Sequence, residues 1–222
     1  MGRGFLKKDD AYGEIKRRIQ VQDFKPGTFL SERELAASLG MSKTPIRSAL
    51  ERLQSEGFVQ ISPQQGAVVR EPSLNEIVDM FDLRLALEPY VLHRLAGHVG
   101  TWQLERLHES LRQQEWVVEA NDVRRCTQLD GDFHLMFCEF LGNEEIVRAL
   151  RGLRDRLFRV VLQVFAQDLN QLRASHHDHV AIVRTLEAGY GAEAVRRLIE
   201  HLEYGQRAAV AAAQAPPAGR RG

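Results

Sequence analysis

Cysteine is nearly absent: Cys126 and Cys138 are the only two among 222 residues. That excludes a disulfide scaffold and any four-cysteine zinc module, and it fits a reducing, cytoplasmic setting. Long apolar runs are missing too. The longest, Ala208 to Ala213, spans six residues, so no membrane span is expected. Met1 to Asp10 lacks the apolar stretch of a signal peptide, and Leu6 stands where a myristoylation pattern needs serine or threonine. Proline is absent from the 126 residues between Tyr90 and Ala215, and histidine is absent before His93. Net charge of either sign is lacking as well, because 30 Lys/Arg cancel 30 Asp/Glu.

The cancellation hides an asymmetry. Residues 1–70 carry 12 Lys/Arg against 8 Asp/Glu, and the remainder carries 18 against 22. A basic head on an acidic body points to a polyanion reader joined to something else. The proline-free region repeatedly places apolar residues at helical spacing, as in Leu83, Leu87, Val91 and Leu95. Its breaks define six expected helices: 73–97, 101–120, 122–141, 143–168, 170–188 and 191–213. Thr101 and Asn143 are suited to N-caps and Gly142 to a left-handed helix end. Short links between helices favour antiparallel neighbours, hence a bundle. Trp102 and Trp116 are expected to pack the second helix of that bundle. The tail 214–222, rich in alanine, proline and glycine, is expected to be disordered.

The head divides differently. A short helix from Ala11 to Gln22 puts Tyr12, Ile15 and Ile19 on one side. Ser31 with Glu34 forms a capping-box pattern before a second helix, Glu32 to Leu39. Ser42 opens a third helix running to about Glu56, with Pro45 at its third position, where a missing N–H breaks no bond. Two short alternating segments, Phe58–Ile61 and Ala67–Arg70, flank a turn at Pro63-Gln-Gln-Gly66 and read as a β-hairpin. Three helices and a hairpin make a winged helix-turn-helix. In such a unit the start of the third helix enters the major groove and the second helix crosses the backbone. Lys43 and Arg47 lie one turn apart on one face and can address guanine acceptors or phosphates. Arg33, in the first turn of the second helix, is placed for a phosphate. Gly66 at the hairpin tip lets the wing approach the duplex.

The body carries a second pattern. Asp130 and His134 are four apart on one helix, so they share a face. His179 and His201 lie eleven residues either side of Tyr190, the centre of a turn, so an antiparallel pair brings them to one height. One carboxylate and three imidazoles facing inward would suit a divalent transition metal. His176 and His177 compete with His179, and Asp132 with Asp130.

Leu30-Ser-Glu-Arg-Glu-Leu-Ala36, Leu39-Gly-Met-Ser-Lys-Thr-Pro-Ile-Arg47, Ala49–Leu53 and Glu56-Gly-Phe-Val59 resemble the DNA-binding domain of GntR-family transcriptional regulators. The resemblance implies operator contacts from Arg33, Ser42, Lys43, Thr44, Arg47 and Gly66. Lys43 departs from the arginine common there and lacks its bidentate fork. Leu129-Asp-Gly-Asp-Phe-His134, His179-Val-Ala-Ile182 and Leu198-Ile-Glu-His201-Leu202 resemble the FCD ligand-binding domain of the FadR-type branch. That implies metal ligands at Asp130, His134, His179 and His201, with His179 favoured because Ile182 follows at the family's spacing. Arg84, in Leu83-Arg-Leu-Ala-Leu-Glu88, matches an arginine on the first bundle helix and would pair with an effector carboxylate. Otherwise Arg84 is a helix-surface arginine near Asp82 or Glu88.

The expected protein is therefore mainly α. Residues 1–72 form a winged helix-turn-helix, 73–213 an all-helical antiparallel bundle for metal, effector and dimerisation, and 214–222 a tail. Its function would be that of a homodimeric DNA-binding repressor on a palindromic operator. A small organic acid would be sensed at a divalent ion: zinc foremost, with nickel, manganese and iron as alternatives. A metal-dependent hydrolase fused to a DNA-binding domain, and a DNA-binding protein with a purely structural dimerisation domain, are the rivals.

Overall fold

A computed structural model describes residues 2–62 and 66–215 of the chain, with side chains from residue 9 onward. It divides into two compact units, Met1–Ser73 and Leu74–Gly222.

The first unit runs α1 (Gly2–Gln20), β1 (Phe29–Ser31), α2 (Glu32–Leu39), α3 (Lys43–Ser55), β2 (Val59–Ser62) and β3 (Gly66–Val69). Helix α1 begins nine residues before the expected Ala11, and Ala11, Ile15 and Ile19 face a core with Leu35, Ile46, Leu50 and Phe58. Tyr12 packs against the same core and donates its hydroxyl to the Glu56 carboxylate at 2.7 Å. Ser31 caps α2 by accepting from the Glu34 N–H at 3.4 Å, and Gly40 ends it in the left-handed conformation. Ser42 is the N-cap of α3, without a side-chain bond to the helix.

The hairpin gains a third strand. The antiparallel sheet has the order β1-β3-β2, with Ser31 opposite Gly66 and Ser62 opposite Gly66 on the other side. Gly66 is therefore buried at the turn end of the central strand, directly after residues 63–65. The turn residues 63–65 lie outside the described residues. A Cβ on Gly66 would stand 2.1 Å from the Leu30 carbonyl oxygen, and its φ of +146° is strained for any other residue. Gly66→Ala is expected to destabilise this unit by roughly 2–4 kcal/mol. An unshifted first unfolding transition in a thermal melt would refute the close approach of β1.

The second unit has six helices among the described residues: α4 (Leu74–Leu95), α5 (Thr101–Glu119), α6 (Val123–Leu141), α7 (Glu144–Gln167), α8 (Leu169–Glu187) and α9 (Gly191–Gln214). Asn143 caps α7 by accepting from the Glu145 and Ile146 N–H groups, and Gly142 closes α6 at φ +73°. At α5 the cap is Gly100, one residue before the expected Thr101. Its N–H donates to Gln103 Oε1 at 2.6 Å. Helix α9 extends through Gln214, into the segment expected as tail; residues 216–222 lie outside the described residues. Helix α4 packs on α9 and α6, α5 on α6 and α8, and α8 on α9. One contiguous apolar core results, with Leu92, Leu107, Phe133, Leu153 and Ile182 buried at its centre. No described helix is long and apolar enough to cross a membrane.

Two side chains depart from expectation. Trp102 and Trp116 are exposed rather than packed within the bundle. Trp102 meets Phe140 edge-on at 5.2 Å, and Trp116 is 72% exposed.

Candidate functional site

Four buried polar residues meet in the middle of the apolar core: Asp130 and His134 from α6, His179 from α8 and His201 from α9. Each offers one ligand-type atom, and those atoms lie within 4.8 Å of one another. The α6 pair shares a face through its four-residue spacing, and the α8–α9 hairpin brings its two histidines level, with ring centroids 4.8 Å apart. His177 points outward and is 85% exposed, while His176 is half-buried and outside the cluster. Asp132 turns away to pair with Arg154.

A second ring of residues fixes the imidazoles. His134 Nδ1 lies 2.7 Å from Glu88 Oε2, His179 Nδ1 lies 2.8 Å from Gln114 Oε1, and His201 Nδ1 lies 3.2 Å from Asp178 Oδ2. All three partners are acceptors; Gln114 spends its amide N–H on Ser110 Oγ. Each Nδ1 must therefore carry the proton and donate it, which leaves each neutral ring with an Nε2 lone pair. Those lone pairs face one another: His134 Nε2 is 3.3 Å from His179 Nε2 and 3.2 Å from His201 Nε2. Between two neutral rings no proton is available to bridge them. Two nitrogens bound at ~2.1 Å to one ion, 90–110° apart, would be separated by about 3.0–3.4 Å. Asp130 Oδ1, 3.7 Å from His179 Nε2 and receiving the Ser175 hydroxyl at 2.8 Å, supplies the anionic donor. The donor set fits a divalent transition ion.

The electrostatics agree. Burial, then the Arg84 charge, pushes the His134 imidazole down, against the pull of Glu88. Burial and the neighbouring His201 and His134 push His179 well down, so both rings stay neutral and basic only toward a metal. Burial alone would raise the Glu88 carboxyl, but Arg84 and His134 overcome it and hold it at about 2. Burial pushes both cysteine thiols up to about 12, and neither belongs to the cluster.

Arg84 is buried on α4, not on a helix surface, and its Nε donates to Glu88 Oε1 at 2.6 Å. It lines two lobes of space beside the cluster, one between α6 and α7 and one among α7, α8 and α9. Glu88, Gln114, Ser175 and Asp178 were not expected as site residues. Only Glu88 carried a signal, its four-residue spacing from Arg84.

The other surface lies in the first unit. Ser42, Lys43, Thr44 and Arg47 are exposed along the start of α3, and Arg33 is exposed in the first turn of α2. Arg47 is held by Glu32, with Nε and Nη2 donating to the two carboxylate oxygens at 3.1 and 3.0 Å. That pair draws the Glu32 carboxyl below its usual range. Gly66 is buried at the turn end of the sheet, close against the Leu30 carbonyl.

A winged helix with an exposed cationic recognition helix, followed by a helical bundle with a polar centre, defines a DNA-binding transcriptional regulator. Residues 7–69 match the gntR family of bacterial regulatory proteins and residues 79–204 match the FCD domain. The chain belongs to the GntR family of transcriptional regulators, in the branch that carries an FCD domain, and is not an enzyme. It is 29% identical to the Nta operon transcriptional regulator of Aminobacter aminovorans, over 81% of this chain and 83% of that protein. Identity to the HTH-type transcriptional repressor RspR of Escherichia coli K12 is 26%, over 86% and 84%. A GntR regulator from Rhodococcus sp. RHA1 shares the fold with a TM-score of 0.81 and 21% identity, over 93% of this chain and 98% of that one.

Proposed function

We propose that this GntR regulator is a cytoplasmic homodimeric repressor that binds a palindromic operator and releases it in response to a small organic acid. Residues 1–72 read DNA, and residues 73–213 hold the metal, the effector and the dimer contacts. One short helix reads too few base pairs by itself, so two-fold pairing doubles the contacts. Arg33, Ser42, Lys43, Thr44 and Arg47 are the operator contacts, with the Gly66 backbone in the wing. The repressor reading draws support from the similarity to RspR, named a repressor.

Asp130, His134, His179 and His201 would hold a divalent ion, zinc first, with nickel, manganese or iron as alternatives. A bound ion would supply Lewis-acid attraction for a carboxylate. The observation that carries this reading is the trio of inward lone pairs whose protons are all committed outward. Elemental analysis of the purified protein tests it, followed by operator binding before and after chelation. Metal-free protein with unaltered DNA binding would favour a purely structural bundle.

Arg84 is the effector's charge partner. Among the described residues its one hydrogen bond is through Nε, which leaves both terminal nitrogens for a carboxylate. Arg84→Lys keeps a cation beside Glu88 but removes the fork. It is expected to weaken the acid response roughly tenfold or more with metal content unchanged. An unaltered dose–response in operator release removes Arg84 from the site. Release itself requires the acid to bind one arrangement of the paired DNA-reading heads better than the other.

A further inference from the structure

The space beside the metal-type cluster is unlike a pocket for a highly oxygenated acid. The lobe between α6 and α7 is narrow, with about 40 Å³ of free space and an opening to solvent. Its walls are Leu135, Leu150, Leu153, Leu157, Phe158 and Val161. The second lobe, also of about 40 Å³, adds Phe81, Val164 and Phe165 but also the polar Gln171, Ser175 and Tyr204. Arg84 and Asp130 line both lobes, so the polar anchor sits where they meet.

Arg84, Glu88, Asp130 and His134 line the cluster end of the first lobe, and away from that end its polar residues are Thr127 and Arg154, both already paired. The Thr127 hydroxyl donates to the Val123 carbonyl at 2.8 Å. Arg154, at the rim, pairs with Asp132. Gly131 lacks a side chain where one would stand 3.4 Å from Arg154, so the Arg154 stem closes over α6 there. Among the described residues, Arg84 is the single buried cation of this lobe.

We propose that the effector is a monocarboxylate with an apolar body, aliphatic or aromatic. Its carboxylate meets Arg84 and the ion, and its body fills the lobe between α6 and α7. This inference rests on the acid-sensing reading above and narrows it. A sugar acid would bury hydroxyls against leucine and phenylalanine, each costing on the order of tenfold or more in affinity when left unpaired. A di- or tricarboxylate would bring further charges to a wall with no free cation. An apolar tail instead gains about three- to fourfold per methylene removed from water.

Calorimetric titration of the full-length, zinc-loaded protein tests this with acetate, butanoate, hexanoate, octanoate, gluconate and citrate. Hexanoate and gluconate share a six-carbon skeleton, so their comparison isolates the hydroxyls. Expected are affinities rising about threefold per methylene from butanoate to hexanoate, and hexanoate at least tenfold tighter than gluconate. Leu157→Ala should flatten the chain-length dependence while leaving acetate unchanged; an unchanged dependence would overturn the placement in this lobe. Gluconate or citrate binding more tightly than hexanoate, and weakened by Arg84→Lys, would overturn the apolar body while acid sensing stands. Absence of binding by every acid would remove the sensing reading and this inference together.

Discussion

Replacing His134 by alanine is expected to empty the bundle of its ion and to lower the thermal midpoint of the second unit by about 10 °C. A ligand present at a thousand times its dissociation constant stabilises a protein by about 4 kcal/mol, and each kcal/mol is worth roughly 2–4 °C in a unit of this size. His134 is the right position because both neighbouring imidazoles approach its Nε2, at 3.3 and 3.2 Å. Its removal also leaves Glu88 without one of its two partners in a fully buried place. His177→Ala is the control: that ring is 85% exposed and should change neither metal content nor midpoint. Glu88→Gln should fall between them, since loss of an outer partner costs metal sites about 10–100-fold in affinity. Equal metal content in His134→Ala and the parent protein would refute the ligand assignment.

The same residues set the acid behaviour of the chelated protein. Buried imidazoles held below their ordinary value of 6.5 take up fewer protons folded than unfolded. Their contribution to stability is therefore complete above pH 6.5 and is lost as pH falls below it. Glu88, held at about 2 against an ordinary 4.5, adds a loss of the same sign further down. The midpoint of chelated protein should decline through this range, and a flat profile would argue that the histidines are not buried together.

Much of this centre was legible because helices turn spacing into direction. Asp130 and His134 share a face by being four apart, and His179 and His201 meet because they are equidistant from one turn. What was illegible depends on helix rotation within the bundle. Gln114 and Asp178 are ordinary polar residues until α5 and α8 are seen to turn them toward histidine Nδ1 atoms. Arg84 and Glu88 had the spacing of a solvated helix pair, and only the packing of α6 and α9 against α4 shows that both are buried. In the head, three helices and two strands were readable from caps and alternation. Strand β1 was not, since three residues carry no period and their partner, β3, lies more than thirty positions away. Trp102 and Trp116 erred the other way: large apolar side chains default to a core, yet both stand on the outward side of α5.

The bundle thus spends buried polar groups where an apolar core would be more stable, and surrounds them with leucine and phenylalanine on two sides. Such an island costs folding energy unless something occupies it. A cation would relieve the opposed lone pairs, and an acid would relieve the unspent guanidinium nitrogens of Arg84. Under the proposed function, stability of the unit and its response to a signal would then be coupled through the same few residues, which is the condition for a ligand to shift a conformational equilibrium.

Arg47→Ala is expected to abolish the preference for operator over scrambled DNA while leaving the fold intact. The side chain is 59% exposed, so its loss leaves the helix packing of the head in place. Glu32 grips one edge of the guanidinium through Nε and Nη2, which fixes its plane and turns Nη1 and the outer Nη2 hydrogen outward. That free edge has the spacing for the O6 and N7 acceptors of guanine, a pairing worth roughly 10–100-fold in discrimination at one site. A two-fold operator presents the contact twice, so the combined loss should be on the order of 10²–10⁴-fold. Lys43→Ala separates base reading from charge: if Lys43 meets only phosphate, affinity for both DNAs falls together and the salt dependence becomes shallower. Mobility shifts with operator and scrambled duplexes at two salt concentrations read both effects. Selectivity surviving in Arg47→Ala would move the reading head away from the start of α3, and Glu32 would then be a surface partner with nothing to position.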